Sequence, residues 1–521
     1  MLWSKGDKKM QDIIFLVYEN YRIYILLFLT IFSAALFTCC LLKQKRIGVK
    51  EQTWRIVLMF VLCCSFSYCI YRYPMLYEGS KGVSFLLKAL LCLLAGMVIA
   101  YGVNFLMRLN FRKIELYFKK HAYGIGIFGF LFGDFILNKS NYINSWVAPM
   151  YALDYSLGFG SRFFIGSVLR IICGEYISSK EAYLFCEICM VILIILIAWM
   201  IDILINSMNE DIKSSVIFLV LMYICSPGAL SGMWTEEKMG RLENYTLLLV
   251  LIAVCLFERI NTIWLKYIMI TIISFVCFAI YQGYIFLYFP ILFFVMLYDA
   301  FYSEREQKQK IYFNIFSIIL NLGAFIVFQF FTYINCESYT EMADILSQKT
   351  DFDISGSLEF EYFMSISDAY KAMTENFILN KSPRENLFLI ICLCIPVFCV
   401  VISIWLKSVQ TLERKDTHRF FYYLWGLSYI AFVPQFILNV DWGRWYIAIT
   451  FYTFFSILYM SWKSNGEISI SLEKLQNYIH NNKFWAVLIL IYLHGFEKFQ
   501  VLGYIPEVHN LWGTIERILF K

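Results

Sequence analysis

The stretch that decides the fold is AYLFCEICMVILIILIAWMIDILIN, residues 182–206. Only Glu187 and Asp202 carry charge in this run, and almost every other side chain is apolar. A helix needs about 20 apolar residues to cross a hydrocarbon core of about 30 Å. Because backbone groups in lipid must be paired within their own segment, such a run forms a helix rather than an open strand. The stretch therefore predicts a transmembrane helix.

Blocks of the same kind recur along the whole chain. Its 521 residues are 60% hydrophobic and 16% charged, whereas soluble chains are about 25% charged. We predict an all-α, polytopic integral membrane bundle of about fourteen transmembrane helices. One long block is divided at Tyr281-Gln282-Gly283, where glycine and polar groups interrupt the apolar run. The predicted helices are roughly 23–42, 55–74, 83–107, 121–138, 182–206, 214–230, 245–258, 265–280, 282–300, 312–334, 386–406, 420–440, 445–462 and 484–500.

The charges of the loops predict the orientation of the bundle. Basic residues gather in four loops on one side, at 43–55, 108–120, 305–310 and 407–419. The positive-inside rule makes that side cytoplasmic and predicts a multi-pass protein of the plasma membrane. Two long loops, 139–181 and 335–385, then lie outside, and the second has ten acidic residues against four basic ones.

The N-terminus is the exception, because its lysines would lie outside the cell. Residues 10–21 could instead form an interfacial helix, or one early segment could fail to span. The first apolar block lacks a cleavage pattern and is predicted to be a retained helix. We predict an accessory membrane bundle over residues 1–107 and a helical core over 108–521.

The composition also excludes several functions. A net charge of +5 without a separate basic run gives no indication of nucleic-acid binding. The 16 cysteines lie almost entirely inside apolar blocks, where they behave as small hydrophobic residues. No Cys-x-x-Cys pair lies with histidine at metal-ligand spacing, so we predict neither a cofactor nor a zinc site. A divalent metal stays an open alternative, although no motif indicates one.

The first long loop contains Asp154-Tyr-Ser-Leu-Gly-Phe-Gly-Ser-Arg162, followed by an apolar stretch with the spacing of an interfacial helix. The glycines permit close backbone approach between the acid and the base. Asp154 and Arg162 are candidate site residues. The alternative is an ion pair that only ties the loop to the bundle.

Three other polar groups are predicted on the same side. Arg241 and Glu243 lie at the start of the seventh helix, where a cation is unfavourable beside the helix N-terminus. Charges this close to the hydrocarbon are costly unless they are paired or face water. The second group is Asp441 and Arg444 in a tight hairpin, and the third is Tyr281-Gln282 between the eighth and ninth helices.

These groups combine carboxylates with guanidinium groups at the membrane surface. Arginine binds phosphate oxygens through two parallel hydrogen bonds, and a carboxylate can accept a proton from an attacking hydroxyl. Nucleotide donors are absent outside the cytoplasm, so a lipid-linked phosphate is the expected source of a transferred group. A glycan or surface polymer is the expected acceptor.

The chain resembles the GT-C superfamily of polytopic glycosyltransferases in its helix-and-loop plan from about residue 121 onward. The resemblance implies a polyprenyl-phosphate-linked sugar as substrate and a loop aspartate as general base. That aspartate would be Asp154, or Asp134 at the end of the fourth helix. Three helices precede the position of the family's first helix, and the family's acidic pair is not evident.

The resemblance also implies roles for the other candidates. The implied binding set for the lipid phosphate is Arg162, Arg241 and Arg444. Glu243 and Asp441 would orient these arginines or hold sugar hydroxyls, and Tyr281 and Gln282 would contact the substrate.

Other classes of protein fit the same pattern. A polysaccharide polymerase or ligase also has two large outer loops and arginines that engage a lipid pyrophosphate. A lipid or glycan transporter would show repeats and ionisable groups at mid-membrane. No repeat is evident, and the candidate charges lie at the outer side, with Asp202 and Lys88 as deeper exceptions. A scaffold would use the same charges only to pair helices.

Overall fold

The computed structural model describes residues 111–234, 238–302, 307–354, 357–365, 367–368, 371, 391–412, 416–438 and 442–496. Backbone proximity divides the chain into two units, Met1–Leu116 and Tyr117–Lys521, and apart from residues 111–116 the features that follow belong to the second. The accessory bundle predicted for residues 1–107 lies outside the described residues.

The described part of the chain is nearly all helical, as predicted. In its first half the helices are α1 Phe111–Lys120, α2 Ala122–Asn138, α3 Phe163–Cys173, α4 Ser179–Ser207, α5 Glu210–Cys225, α6 Glu243–Arg259, α7 Ile263–Ile280, α8 Tyr284–Leu287 and α9 Phe289–Tyr302. In its second half they are α10 Gln307–Phe330, α11 Tyr339–Lys349, α12 Ile395–Gln410, α13 Asp416–Ser428, α14 Val433–Leu438, α15 Trp442–Trp462, α16 Gly466–Asn481 and α17 Lys483–Phe496. Two short strands, β1 Gly158–Phe159 and β2 Tyr333–Ile334, pair in the outer loops.

Helix α4 begins and packs as its sequence requires. Ser178 and Glu181 form a capping box that satisfies free N–H groups at its first turn. Leu193 and Ile194 are buried in the bundle, while Ile188 and Ile192 on the other side are about half exposed. Large exposed apolar faces are unfavourable in water but are solvated by lipid chains. Helix α4 therefore presents a lipid-facing surface.

Four helical segments of the described residues are long and apolar enough to cross a membrane. They are Ser179–Ser207, Glu210–Met233, Ile263–Ile280 and Gln307–Phe330. Shorter apolar helices accompany them, among them α2, α9, α12 and α17. The chain is thus an α-helical protein with the features of a membrane protein.

Two long apolar blocks are broken. Helix α7 ends at Ile280, and Tyr281-Gln282-Gly283 forms the predicted turn before α8 and α9. The single helix predicted over 420–440 is wrong, because a 3₁₀ turn over Tyr429–Phe432 separates α13 from α14. Pro434 explains the interruption, since it has no N–H to donate to the carbonyl one turn earlier.

Helices α11 and α16 were not predicted. Helix α16 is amphipathic rather than apolar, and it packs against α5 near the predicted cytoplasmic side. The Ser215 hydroxyl of α5 donates to the Leu472 carbonyl at 2.7 Å, and Ser471 contacts Ser408 of α12 at 2.9 Å. Helix α16 therefore buries one face by contacts with other helices that its hydropathy does not reveal.

The two long outer loops form one connected surface. Gly158 pairs with Ile334 across the β1–β2 ladder, and the Ser179 N–H donates to the Asp351 carboxylate at 2.5 Å. Within the first loop, a Cβ at Gly166 would lie 1.9 Å from the Leu153 carbonyl oxygen. Only glycine permits this approach between α3 and the preceding turn. The contact between the loops agrees with their predicted placement on one side of the membrane.

Candidate functional site

Arg162 occupies an unusual backbone position immediately before α3. Its φ of 77° lies in the left-handed region, which costs a residue with a Cβ about 1–2 kcal/mol. The Arg162 N–H donates to the Ala279 carbonyl at 2.8 Å, near the end of α7, and fixes the loop against that helix. Strained residues of this kind cluster at functional sites. The backbone therefore directs a buried guanidinium inward at an energetic cost.

Among the described residues, four side chains contact the Arg162 guanidinium, and one of them is Met150, whose sulfur accepts from Nη1 at 3.6 Å. Glu361, from the second outer loop, accepts at 2.6 Å, and Gln282 accepts from the Nε–H at 3.4 Å. The guanidinium also lies 5.4 Å from the centre of the Tyr281 ring, within the range of a cation–π contact. Burial is the largest single effect and disfavours the charged form, but Glu361, Tyr362 and Tyr281 together outweigh it and hold the pKa of Arg162 above its usual value. Both Tyr281 and Gln282 were predicted as site residues.

A second buried ion pair joins the first residue of α6 to the first turn of α15. Arg444 donates to Glu243 at 2.8 Å, and only 11% and 6% of these side chains are exposed. The guanidinium also lies 5.0 Å from the centre of the Trp445 ring. A carboxylate is favourable at a helix N-terminus, which explains why Glu243 can hold the arginine there.

Tyr281 is close enough to both ion pairs to feel the charges of each. Burial is the main cause that raises its pKa to about 12, and the charges of Arg444 and Glu243 also act on it. Arg162 and Glu361 act on the same hydroxyl. The two ion pairs therefore share one neighbourhood, although they come from separate segments of the chain.

Further polar side chains lie beside Glu243 and Arg444. Arg241, Lys238 and Tyr288 line a small cavity together with Glu243 and Arg444. The cavity measures about 10 Å³, which is about enough for one water molecule. A phosphate would therefore enter only when side chains around the cavity move apart. We call the whole set the outer polar cluster; its members are Arg162, Lys238, Arg241, Glu243, Tyr281, Gln282, Tyr288, Glu361 and Arg444.

Asp154 belongs to a different network. Its carboxylate accepts from Arg170 at 3.1 Å, from Lys349 at 2.9 Å and from the Ser156 N–H at 2.7 Å. Burial would raise its pKa, but the hydrogen bonds from Ser156 and Lys349 outweigh burial and hold the pKa below its usual range. These contacts tie the first outer loop to the second; they are not the Asp154–Arg162 ion pair that the sequence left open as an alternative, because Arg162 pairs with Glu361. The catalytic role of Asp154 stays a prediction.

The other acids fall elsewhere. Asp134 accepts hydrogen bonds from Asn138 and from the Trp234 indole, the latter at 3.0 Å. Trp234 directly follows Met233, which lines the small cavity, so Asp134 supports the wall of the cluster rather than entering it. Asp441 lies outside the described residues.

Sequence reasoning missed three members of the cluster. Lys238 and Tyr288 lie close in sequence to the predicted residues Arg241 and Gln282, and this closeness could have indicated them. Glu361 carried no such signal, because it is one of ten acidic residues in a long loop. Among the residues that the structure describes, no group of three or more His, Cys, Asp or Glu side chains is placed to hold a metal ion.

Comparison with known proteins gives no relative: no protein-family model, no curated protein and no solved structure matches this chain.

Proposed function

We propose that this chain is a membrane glycosyltransferase that moves a sugar from a polyprenyl-phosphate carrier to an extracytoplasmic acceptor in cell-surface glycan assembly. In this proposal the chain resembles the GT-C superfamily and forms a plasma-membrane bundle of about fourteen helices. The observation that carries the proposal is the outer polar cluster. Its guanidinium groups come from the first outer loop, from the start of α6 and from the start of α15, and they gather at one end of the bundle.

The chemistry of the cluster suits a lipid phosphate. Glu361 and Glu243 hold Arg162 and Arg444 in position through the two ion pairs. An incoming phosphate offers each guanidinium a stronger set of acceptor oxygens in the same place. As the glycosidic bond breaks, charge develops on the leaving phosphate, and preorganised cations stabilise that charge. Arg241 and Lys238, which line the small cavity, would add to the same positive field.

The base that activates the acceptor hydroxyl is assigned within this proposal to Glu361. Its carboxylate contacts Arg162 inside the cluster, and 22% of its side chain is exposed to solvent. Asp154 is less suited, because two cations and a lowered pKa make its carboxylate a weaker proton acceptor. Its role in the proposal is to hold the two outer loops together. Glu361→Gln removes the proposed base and keeps the Asp154–Lys349 contact between the loops, whereas Asp154→Asn weakens that contact and keeps Glu361.

The test is sugar transfer in proteoliposomes that contain the purified chain, with labelled polyprenyl-phosphate hexoses supplied one at a time. Arg444→Gln is expected to lower the transfer rate about 10²–10³-fold, the usual cost of losing one donor to a developing anion. The matched control is Lys407→Gln, which removes an exposed cation at the far end of α12 and should leave the rate unchanged. Full activity of a correctly inserted Arg444→Gln protein would rule out the proposed phosphate site.

A polysaccharide polymerase or ligase is the second candidate, and one contact favours it. The second long loop enters the cluster through Glu361, as expected where two outer loops bind a growing lipid-linked chain together. Product length distinguishes the two activities. A single added sugar supports the glycosyltransferase, whereas a ladder of repeats supports the polymerase.

A further inference from the structure

An apolar groove runs along the half of the bundle opposite the outer polar cluster. Helix α6 begins at Glu243 in the cluster, but the groove is lined by its other end, from Leu251 to Arg259. Helix α15 likewise begins beside Arg444 and contributes its last three turns, including Phe455 and Leu458. Helix α4 forms the other wall, and the cavity measures about 280 Å³. Under the predicted orientation the groove lies in the cytoplasmic leaflet.

The mouth of the groove carries two cations and one acid. Glu258 is engaged by the Lys463 ammonium and by the Tyr459 hydroxyl, so its charge is already matched. Arg259 is exposed and forms no ion pair with the residues that the structure describes; its guanidinium lies 5.4 Å from the centre of the Trp199 ring. The mouth therefore has room for one further negative charge.

We propose that this groove binds an anionic phospholipid, with an acyl chain between α4 and α15 and the headgroup phosphate on Arg259. The apolar walls match a hydrocarbon chain, and the net charge of the mouth matches an anion. A zwitterionic headgroup fits less well, because its ammonium would approach Arg259 and Lys463. The groove is separate from the outer polar cluster, so the proposal of lipid binding does not depend on the proposed transfer activity.

The experiment measures the thermal unfolding midpoint of the purified full chain in detergent, titrated with dioleoyl phosphatidylglycerol or dioleoyl phosphatidylcholine. A lipid that binds only the folded chain raises the midpoint with concentration. The wild type is expected to bind phosphatidylglycerol more tightly than phosphatidylcholine. Arg259→Gln should weaken phosphatidylglycerol binding about tenfold or more, the factor expected for losing a charge-assisted hydrogen bond. Lys407→Gln is the matched control and should keep the preference.

A second pair of variants tests the groove itself. Ile203→Trp places a large ring in the groove and should weaken binding of both lipids. Ile195→Trp lies on the same helix at an exposed position that does not line the groove, and it should leave binding unchanged. The proposal is overturned if a folded Arg259→Gln protein keeps the full preference for phosphatidylglycerol, or if the two tryptophan variants bind lipid equally well.

Discussion

At Arg162, the role of the side chain can be tested separately from the energetic cost of its backbone conformation. Its left-handed backbone costs about 1–2 kcal/mol for any residue with a Cβ, and glycine would remove that cost. Its ion pair with Glu361 is largely buried on the arginine side, where only 10% of the side chain is exposed. Breaking a buried pair costs about 3–5 kcal/mol, and the partial exposure of Glu361 places the cost near the lower end.

These magnitudes predict an inverted order of stability between two variants. Arg162→Ala loses the ion pair and keeps the strain, so it should be destabilised by about 3 kcal/mol. Arg162→Gly loses the same pair but regains about 1 kcal/mol from the backbone, although glycine is usually the more destabilising substitution. Both variants should lose transfer activity, because neither has a guanidinium.

The assay compares thermal and denaturant unfolding of both variants in the same detergent and measures transfer in parallel. Equal stability, or a more stable alanine variant, would refute the strain argument. Activity in a folded Arg162→Gly protein would refute the role of Arg162 in binding phosphate. The two conclusions can therefore fail separately.

Three further predictions concern other parts of the molecule. Glu243→Gln and Arg444→Gln should each lower the unfolding free energy by about 3–5 kcal/mol, because each leaves a buried charge unpaired. In a double-mutant cycle the double variant should lose clearly less than the sum of the two single losses. Additive losses would show that the pair is not coupled. The pKa of Asp154 is lowered in the folded chain. Its contribution to folding stability is therefore present above its unfolded-state pKa of about 4 and is lost as the pH falls through its folded-state pKa. Wild type should consequently lose more stability than Asp154→Asn between about pH 5 and pH 3, and parallel pH curves would contradict this assignment. Gly166→Ala forces a Cβ onto the Leu153 carbonyl and should lower the unfolding midpoint. Gly126→Ala has open space in α2 and should be neutral or stabilising by up to about 1 kcal/mol. Equal midpoints for the two variants would show that the contact between Gly166 and the Leu153 carbonyl is not tight.

The helices that were predictable are those whose signal is local. Helices α4, α7 and α10 are long apolar runs, and glycine and polar side chains indicate the turn at Tyr281-Gln282-Gly283. Helix α16 is different, because its stability comes from contacts with α5 and α12 that are distant in sequence. Pattern alone gives such an amphipathic segment no partner, and so it was not predicted.

The candidate site shows the same division. Arg162, Gln282 and Arg444 were recognisable because a charged or polar group beside a hydrophobic helix end requires a partner. Which partner each one takes depends on the folding of the outer loops. Glu361 reaches Arg162 from a loop with many acids, and Lys349 draws Asp154 into a tie between loops. No spacing in the sequence encodes either contact.

The central claim is that the outer polar cluster binds the phosphate of a lipid carrier, and a pair of ligands tests it directly. Purified wild-type chain and Arg444→Gln are titrated with a polyprenyl phosphate and with the corresponding polyprenol, which has the same hydrocarbon chain without the phosphate. The wild type should bind the phosphate at least about tenfold more tightly than the alcohol, and Arg444→Gln should lose most of that difference. Equal affinity of the wild type for the two ligands, or an undiminished preference in a folded Arg444→Gln protein, would contradict the claim.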